Sequence, residues 1–493
     1  MEKDLKLVSG SDLRGVAVDL GSGVTLGPDQ ARSAAYAFAE FLKKRTGQSS
    51  PLVALGRDPR LTGEALLHAA AKGLCAAGAR AVDFGLCATP AMFEAVLALP
   101  SDGAIMITAS HLPYERNGMK FVTKDGGLEH EEVADLARAM QPVAPCAVGD
   151  LPKVDFLAQY AARLADFVRA RAGRGDKPLA GRKIAVDAGN GSGGFFAKLV
   201  LEPLGADTAG SQFLEPDGRF PNHIPNPEDG AAMEAACRMV RGSGADAGVI
   251  LDADCDRAAI VGKGGAPMNR NRLLALLAAI VLEEHPGATI VTDSVTSAGL
   301  TRFIERKGGV HLRYKRGYKN VIDKAKELCA QGVDCPLAVE TSGHCAFADN
   351  HFLDDGAYMA ARLLALLADG EDLEGKIADL EEPAEEAEVR LKIAAEDFRA
   401  AGEAVLQRVR AAIGQRPDWG ANRDYEGVRA TVRLPGGGEG LILVRLSVHD
   451  PVLPINFESD APGGVKILAQ QLLAQIQGAQ GVDLAPLAAL AAP

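Results

Sequence analysis

Residues 247–257 read Ala-Gly-Val-Ile-Leu-Asp-Ala-Asp-Cys-Asp-Arg, an apolar run that ends in three closely spaced carboxylates. The run Ala247–Leu251 has the length and the aliphatic content of a buried strand. Ligands bind to α/β sheets at the carboxyl ends of parallel strands, so a carboxylate cluster at this point indicates a ligand site. The stretch therefore predicts an α/β protein with a functional loop at the end of this strand.

The three carboxylates are Asp252, Asp254 and Asp256, at positions i, i+2 and i+4. Such groups repel one another unless a cation lies between them, and their hard oxygen atoms suit Mg²⁺ or Ca²⁺. An EF-hand loop needs glycine at its sixth position and glutamate at its twelfth, where this chain has Arg257 and Lys263. We therefore predict a divalent-cation site of another kind. An acidic surface turn is the alternative.

Short β-rich runs, each followed by a Gly/Pro turn and an amphipathic helix, recur along most of the chain. This alternation predicts parallel sheets with helices on both faces. Helical patterns include residues 63–77 and 156–172. The predicted strands are residues 52–55, 81–84, 104–107, 183–186, 247–251, 289–291 and 337–339.

The domain organisation is predicted from the chain length and from the alternation of strands and helices. At about 150 residues per domain, 493 residues correspond to about three domains. The alternation of strands and helices begins again near residues 180 and 270, which predicts three α/β domains. The last hundred residues differ, because predicted strands at 428–434, 441–446 and 453–458 have loops too short for crossover helices, and a helix at 465–477 follows. The fold class is therefore α/β, with three mixed α/β domains and a smaller C-terminal α+β domain, divided at 1–175, 176–266, 267–383 and 384–493.

Composition argues against two classes of partner. Acidic side chains number 65 and basic ones 53, a formal net charge of −12 without basic blocks, so we expect neither nucleic acid nor membrane as a partner. The longest strongly apolar run, residues 273–282, is shorter than the about 20 residues of a membrane span. A buried helix is expected there.

Cysteine usage and the first residues bear on the compartment. The eight cysteines are scattered singly without a Cys-x-x-Cys pair, which favours a reducing compartment and argues against structural zinc. The N-terminal residues show neither a secretory nor a transit-peptide pattern. We expect a cytoplasmic protein, and a processed chain of the chloroplast stroma is the alternative.

A second candidate site is Thr108-Ala109-Ser110-His111, which also comes directly after a predicted strand. Ser110 could be a nucleophile, but glycines are missing from the positions that a Gly-x-Ser-x-Gly elbow requires, so a hydrolase is disfavoured. A capping or turn serine is the alternative. Lys120 follows ten residues later, within reach of the same site, although a lysine near a strand end usually faces solvent.

A glycine run, Gly189-Asn190-Gly191-Ser192-Gly193-Gly194, formally satisfies the dinucleotide-binding pattern. That pattern needs an acid about 20 residues further on, at the end of a second strand. Neither Asp207 nor Glu215 clearly ends one. Tight packing of strand against helix is therefore the favoured interpretation, and a dehydrogenase is a remote alternative.

Polar segments elsewhere in the chain could bind hydroxyl groups and phosphate. Glu340-Thr341-Ser342-Gly343-His344 follows a predicted strand and can hydrogen-bond vicinal hydroxyls, although a polar turn is the alternative. Arginines in Arg57-Asp58-Pro59-Arg60 and in Arg445-Leu446-Ser447-Val448-His449 could pair with phosphate.

In this order, these segments resemble the α-D-phosphohexomutase superfamily, the phosphoglucomutase/phosphomannomutase enzymes. Ser110 with Lys120 is similar to that family's phosphoserine loop, and residues 252–257 are similar to its metal loop, normally Asp-Gly-Asp-x-Asp-Arg. The segment from Glu340 to His344 matches its sugar-recognition loop. Other similar segments are Asp12-Leu13-Arg14-Gly15, Leu55-Gly56-Arg57-Asp58, Ala88-Thr89-Pro90, residues 217–222 and residues 225–228.

The resemblance implies four domains around a central cleft and a mutase that moves phosphate between the 1- and 6-positions of glucose, mannose or both. It implies Mg²⁺ as cofactor and hexose 1,6-bisphosphate as activating primer, with small-molecule sugar phosphates as partners and a monomer or homodimer. The implied metal ligands are Ser110, Asp252, Asp254 and Asp256. The implied catalytic residues are Ser110, Lys120, Arg14, His344 and Arg257, and the implied substrate-binding residues are Glu340, Ser342, His344, Arg445, Ser447 and His449.

The chain departs from the family in its last phosphate loop, usually Arg-x-Ser-Gly-Thr-Glu-Pro. Here the loop is Arg445-Leu446-Ser447-Val448-His449-Asp450-Pro451, which resembles a plant and green-alga branch. His449 replaces a threonine hydroxyl, so we expect its protonation to strengthen phosphate binding below neutral pH. The alternatives for function are a phosphoglucosamine mutase and a non-catalytic sugar-phosphate-binding relative.

Overall fold

The computed structural model describes residues 2–423, 425–447 and 450–492. The chain divides into two compact units, one formed by Met1–Leu273 with Ser342–Gly375 and the other by Leu274–Thr341 with Lys376–Pro493. The first unit is discontinuous in sequence, because it also includes residues 342–375.

The strands of the described residues follow the chain in this order: β1 (Val8–Ser9), β2 (Asp12–Val16), β3 (Leu52–Arg57), β4 (Arg80–Leu86), β5 (Gly103–Ile107), β6 (Arg116–Thr123), β7 (Gly126–Gly127), β8 (Ile184–Asp187), β9 (Ala247–Leu251), β10 (Ala258–Val261), β11 (Pro267–Met268), β12 (Thr289–Thr292), β13 (Val310–Arg313), β14 (Leu337–Val339), β15 (Cys345–Phe347), β16 (Glu385–Lys392), β17 (Trp419–Ala421), β18 (Val428–Arg433), β19 (Glu439–Val444) and β20 (Val452–Ser459).

The α-helices of the described residues are α1 (Glu2–Leu5), α2 (Pro28–Thr46), α3 (Gly63–Ala76), α4 (Thr89–Ala98), α5 (His130–Ala139), α6 (Phe156–Ala172), α7 (Gly230–Ser243), α8 (Arg270–Glu284), α9 (Ala298–Arg306), α10 (Tyr318–Ala330), α11 (Gly356–Asp369), α12 (Phe398–Gln415), α13 (Gly464–Ile476) and α14 (Ala485–Ala491). Short 3₁₀ turns lie at Ala348–Asn350 and Gly375–Ile377, and a π-helical turn lies at Phe196–Leu201.

Two mixed sheets form the first unit. The larger has the order β1-β2-β6-β5-β3-β4, with β7 paired to β6, and its strands β3, β4 and β5 are parallel. The second has the order β11-β10-β9-β8, in which β8 and β9 are parallel and β10 is antiparallel to β9. The parallel strands of both sheets therefore end in loops that can carry functional groups.

The second unit has a parallel and an antiparallel part. Strands β12, β13 and β14 are parallel, with β12 in the middle. The C-terminal strands form an antiparallel sheet of order β16-β20-β19-β18-β17, and helices α12, α13 and α14 pack against its apolar face. The predicted α/β fold with an antiparallel C-terminal α+β part is confirmed.

Helices α2 and α3 approach closely on the larger sheet of the first unit. A side chain on Gly73 would place its Cβ 2.0 Å from the backbone oxygen of Arg32, so only glycine fits at this crossing. The same two helices cover an apolar core that includes Phe38, Leu55 and Ile105. This close packing fixes the positions of β3 and β5, whose carboxyl ends lead into the functional loops.

Most of the predicted strands and helices are confirmed within a few residues, including the buried helix at 273–282, which is part of α8. The sheets of the first unit combine parallel and antiparallel strands, in agreement with the expected mixed α/β domains. After β5 the chain returns through a loop of eight residues into antiparallel β6, and this return is too short for a crossover helix. Strand β16 was missed, because its alternating charged residues look like a solvated segment.

The scattered cysteines, which favoured a reducing compartment, include one disulfide pair. Cys75 in α3 and Cys146 after α5 form a disulfide, with their Cα atoms 5.9 Å apart. The two lie 71 residues apart in sequence, so spacing alone does not reveal the pair. Among the described helices, none combines the length and the apolar character needed to cross a membrane.

Candidate active site

Ser110 lies in the loop between β5 and β6, at the carboxyl end of a parallel strand. Its backbone has a φ of +51°, in the left-handed region, and its side chain is buried. Its hydroxyl donates to Asp252 Oδ2 at 3.1 Å and accepts from Arg257 Nη2 at 3.0 Å. A backbone strained in this way costs about 1–3 kcal/mol and is typical of functional sites. The structure therefore joins the serine segment to the carboxylate loop.

Arg60 fixes the shape of this serine loop. Its guanidinium donates to four backbone carbonyls, among them those of Ser110 at 2.5 Å and Leu112 at 2.6 Å. Its Nε also binds Asp58, which in turn accepts a hydrogen bond from Thr108. The expectation that Arg60 binds phosphate is wrong, because backbone oxygens already occupy its donors.

The carboxylate trio follows β9 as expected. Single oxygens of Asp252, Asp254 and Asp256 lie within 4.8 Å of one another, and all three side chains are buried. Burial and the neighbouring charges of Asp256 and Asp254 raise the pKa of Asp252 well above its usual range. The Oδ1 atoms of Asp254 and Asp256 accept no hydrogen bond within the described part of the chain. A bound cation would stabilise carboxylates in this arrangement by offsetting their repulsion.

Lys120 lies on β6 and is buried, contrary to the expectation that a lysine there faces solvent. Its ammonium donates to Asp256 Oδ2 and lies 3.2 Å from Asp254 Oδ2. Burial would raise the pKa of Asp256, but the positive charges around it, of which Lys120 is the strongest, lower that pKa below its usual range. Lys120 therefore partly neutralises the negative charge of the carboxylate trio.

Arg14 lies on β2, next to the strand that carries Lys120. Asp12 pairs with Lys120 across the two strands, and Arg14 Nη2 lies 2.8 Å from Asp12 Oδ2. Burial lowers the pKa of Arg14, but the charge of Asp12 and its hydrogen bond outweigh that effect and the pKa is raised. Residues two apart on a strand share a face, which places Arg14 and Asp12 together.

His344 forms an ion pair with a residue that the sequence analysis did not single out. Its Nδ1 lies 2.7 Å from Asp354 Oδ2 and 4.0 Å from Asp256 Oδ1. Burial lowers the pKa of His344, but Asp354 and Asp256 more than compensate and raise it to about 9. His111 differs, because burial and the nearby Arg257 lower its pKa to about 2. One histidine is therefore cationic at neutral pH and the other neutral.

The glycine run packs beneath the metal loop. A Cβ on Gly191 would lie 2.6 Å from the Cα of Ala253, between the first two aspartates, and the Ser192 N–H donates to the Ala253 carbonyl at 2.8 Å. Glycine is therefore required for this contact between two backbones. This supports tight packing over dinucleotide binding at the run.

The second unit holds three of the other predicted binding residues, Glu340, Arg445 and Ser447. Glu340 is buried and accepts a hydrogen bond from the Gly317 N–H at 2.5 Å. Arg445 Nη1 lies 3.3 Å from Glu426 Oε1, and Ser447 Oγ accepts from the Asp450 N–H at 3.1 Å. Ser342 belongs to the first unit and is buried. His449 lies outside the described residues.

Several residues that complete the site were not predicted in the roles that the structure gives them. Thr89 donates to Asp254 Oδ2 at 2.5 Å from the first turn of α4. Arg60, Asp354 and Glu426 also hold predicted residues in place, as described above. The pairing of His344 with an aspartate ten residues on was the one local signal available. The other partners are distant in sequence.

Comparisons with known proteins identify the class. Phosphoglucomutase/phosphomannomutase alpha/beta/alpha domain I matches residues 6–141, domain II matches residues 158–265 and domain III matches residues 269–383. The phosphomannomutase/phosphoglucomutase of Pseudomonas putida is 34% identical over 91% of this chain and 91% of its own length. The phosphoglucomutase of Neisseria meningitidis serogroup A is 28% identical over 94% of this chain and 95% of its own.

A solved structure agrees with these relatives. The crystal structure of a phosphoglucomutase/phosphomannomutase family protein from Burkholderia thailandensis is 29% identical and covers 97% of this chain and 99% of its own, with a TM-score of 0.77. The matches define a class of enzyme, an intramolecular phosphotransferase among the isomerases that acts on hexose phosphates. The chain belongs to the phosphoglucomutase/phosphomannomutase family, within the α-D-phosphohexomutase superfamily. The expected family, fold class and mutase activity are confirmed, and the likeness to a plant branch stays a prediction.

Proposed function

We propose that this mutase interconverts the 1- and 6-phosphates of glucose, mannose or both, and that Ser110 carries the phosphoryl group. The observation that carries the proposal is the position of Ser110 Oγ, 3.1 Å from Asp252 Oδ2 and 3.0 Å from Arg257 Nη2. The hydroxyl lies beside a carboxylate cluster that can hold a metal and beside a guanidinium that can bind phosphate oxygens.

The metal site is assigned to Asp252, Asp254 and Asp256, together with an oxygen of phosphorylated Ser110. The trio fits a hard dication, because its oxygens cluster and two buried Oδ1 atoms accept no hydrogen bond within the residues described. A set of oxygen donors alone favours Mg²⁺ over zinc. When bound, Mg²⁺ neutralises the charge that develops as the phosphoryl group leaves the serine oxygen.

The reaction has two half-reactions that run through the same serine. In the first, the free sugar hydroxyl attacks phosphorus, and the bond from phosphorus to the Ser110 oxygen breaks as the bond to the sugar oxygen forms. The serine oxygen recovers a proton, and the product is hexose 1,6-bisphosphate. In the second, the bisphosphate returns its other phosphoryl group to Ser110. Added bisphosphate should therefore prime an unphosphorylated enzyme.

Four cationic side chains are proposed to move the proton and stabilise charge. Lys120 and Arg257 flank the carboxylate trio, and Arg257 would also bind the phosphate on Ser110. Arg14 is a fixed cation next to them. His344 is protonated at neutral pH, since its pKa is about 9, and is therefore suited to act as an acid or as a charge partner.

The proposed substrate-binding residues form two groups, one for the sugar hydroxyls and one for the phosphate. Glu340, Ser342 and His344 are proposed to hold the sugar hydroxyls in both orientations of the intermediate. Arg445, Ser447 and His449 are proposed to hold the phosphate that does not react. Glu340 and Arg445 are both largely buried, which supports a binding role because a hydrogen bond to a ligand is electrostatically stronger in low-dielectric surroundings than in water. We also propose that the chain has four domains, which comprise residues 1–175, 176–266, 267–383 and 384–493.

A coupled assay tests the proposal. Purified enzyme is given glucose 1-phosphate, mannose 1-phosphate or glucosamine 1-phosphate, each with and without hexose 1,6-bisphosphate and Mg²⁺. We expect turnover of one or both of the first two substrates, stimulated by the bisphosphate and stopped by chelation. Turnover of glucosamine 1-phosphate alone would instead identify a phosphoglucosamine mutase. No turnover of any of the three would contradict the proposal.

A further inference from the structure

The side chain of His223 is shielded from solvent, and the reaction described above does not use it. Its Nδ1 lies 2.8 Å from the Ile224 carbonyl oxygen, and its Nε2 lies 3.1 Å from both carboxylate oxygens of Asp187. A carbonyl and a carboxylate only accept, so the ring satisfies both when both of its nitrogens carry protons. His223 is therefore an imidazolium that pairs with Asp187, and both side chains are shielded from solvent.

The surroundings of this pair favour the charged form. Asp187 at the end of β8 also accepts from the Gly189 N–H at 2.9 Å and from Gln212 Nε2 at 2.7 Å. The ring of Phe213 meets the imidazole edge to face at 5.4 Å. Burial lowers the pKa of His223, but its hydrogen bond to Asp187 and the charges of Asp187 and Asp229 outweigh this, and the pKa is raised above 6.5.

The pair anchors a connecting segment, residues 217–228, which has contacts with the metal loop. Asn226 Oδ1 accepts from Arg257 Nη1 at 3.1 Å, and Arg257 in turn donates to Ser110 Oγ. Asn222 donates to Asn190 Oδ1 at 2.7 Å, within the glycine run that packs on Ala253. A shift of this segment would therefore move the guanidinium that lies against Ser110.

The other end of the connecting segment contacts the serine loop. The Arg60 guanidinium lies over the ring of Phe220, 5.0 Å from its centroid, and a Cβ on Gly218 would lie 2.2 Å from the Pro59 carbonyl oxygen. Arg60 holds the Ser110 carbonyl, as described above. Residues 217–228 therefore contact the partners of both loops that meet at Ser110.

We propose that His223, paired with Asp187, is a positioning residue for phosphoryl transfer, which anchors residues 217–228 and through Asn226 sets the place of Arg257 against Ser110. The inference rests on the proposed function, in which Ser110 carries the phosphoryl group and Arg257 binds it. It assigns no contact between His223 and the substrate. The expected effect is therefore on the chemical step rather than on substrate affinity.

The first test compares two histidine variants. His223→Gln keeps one hydrogen bond to Asp187 but loses the charge, and we expect kcat to fall about tenfold while KM changes less than about twofold. The control is His285→Gln, because His285 also lies 3.1 Å from an aspartate, Asp334, but is exposed. The control should leave both constants unchanged. An unchanged kcat in His223→Gln would overturn the proposal.

A double-mutant cycle tests the route through Asn226. Asn226→Ser alone should also lower kcat, and if His223 acts through Asn226, the double variant should be little worse than either single variant. Fully multiplicative losses would overturn the proposal. Should His223→Gln fail to fold, Asp187→Asn, which keeps the shape of the side chain and removes its charge, replaces it in the cycle.

The pH profile separates positioning by charge from simple packing. The ratio of wild-type kcat to His223→Gln kcat should be largest near pH 6.5 and approach one as pH rises and His223 loses its proton. A ratio that does not change with pH would overturn the role of the imidazolium. Intact mass shows separately whether wild-type Ser110 carries a phosphoryl group. A wild-type enzyme that lacks both the adduct and turnover would contradict the proposed function itself, and the positioning role with it.

Discussion

Arg257 Nη2 lies 3.0 Å from Ser110 Oγ, although the two residues are 147 positions apart in the chain. The same side chain binds Asp252 through its Nε at 3.1 Å. One guanidinium therefore connects the serine loop after β5 to the carboxylate loop after β9. Phosphoryl transfer needs a nucleophile, a cation and a metal site in this proximity.

Ser110→Ala tests the phosphoryl carrier. Without the hydroxyl no phosphoserine can form, so we expect turnover to fall below about one thousandth of wild type. Intact mass should show a one-phosphate adduct in wild type that is absent from the variant. Ser101→Ala, at another buried serine, should keep both the adduct and the activity. An adduct that persists in Ser110→Ala would show that another residue is phosphorylated.

Asp254→Asn tests the metal site through stability as well as activity. Asparagine can still accept the Thr89 hydrogen bond but removes one of three mutually repelling charges. Metal-free Asp254→Asn should therefore melt at or above the metal-free wild type. Added Mg²⁺ at about 100 times its Kd should stabilise wild type by about 2.7 kcal/mol and the variant by much less. Equal Mg²⁺ shifts in the two proteins would exclude Asp254 as a ligand, and Asp166→Asn is the surface control.

Arg445 and Glu426 should have opposite effects on substrate affinity. Arg445→Ala removes a charged donor to phosphate, which should raise KM about 10- to 100-fold with a smaller change in kcat. Glu426→Gln weakens the carboxylate that now pairs with Arg445, so KM should fall. Initial rates over a range of substrate concentrations measure both effects, with exposed Arg433→Ala as control. If KM is unchanged in Arg445→Ala, the loop does not bind the phosphate.

Glu94 should make stability depend on pH. Burial raises its pKa to about 7 against the opposing charge of Arg163, while its ordinary value is 4.5. The native state therefore binds this proton more tightly than the unfolded state does. The resulting stability is present below about pH 4.5 and is lost as pH rises through about 7.

Glu94→Gln should consequently be more stable than wild type by about 1–3 kcal/mol at pH 8 and nearly equal to it at pH 5. Urea unfolding at the two pH values measures the difference. Glu305→Gln, at an exposed glutamate, should show no gain at either pH. The same difference at both pH values would mean that ionisation of Glu94 is not its cause.

The disulfide between Cys75 and Cys146 should contribute to stability. Thiol titration of the unreduced, denatured protein should find six free thiols, and reduction should reveal two more. Reduction opens the loop that the disulfide closes, so the unfolded chain gains conformational entropy and the unfolding free energy should fall by about 2–4 kcal/mol. Cys146→Ser should reproduce this loss and Cys329→Ser should not. Eight free thiols before reduction would contradict the pairing.

The sequence by itself was sufficient for most strands and helices, although not for β16, and for the chemistry of single loops. Strand periodicity located β9 and β14, because a buried strand is a short apolar run bounded by turns. The spacing of Asp252, Asp254 and Asp256 indicated a cation site, since carboxylates clustered in one loop repel one another unless a cation lies between them. Likeness to a family placed Ser110 in the same reaction.

Only the tertiary structure decided how these loops meet. Arg60 was expected to bind phosphate, but folding places it against four carbonyls of the serine loop. The glycine run packs on Ala253, and Lys120 is buried among carboxylates rather than exposed. Cys75 and Cys146, like His223 and Asp187, become partners across tens of residues. Periodicity and spacing report on neighbours along the chain, whereas burial, ion pairing and the resulting pKa values depend on groups that only the packed strands and helices bring together.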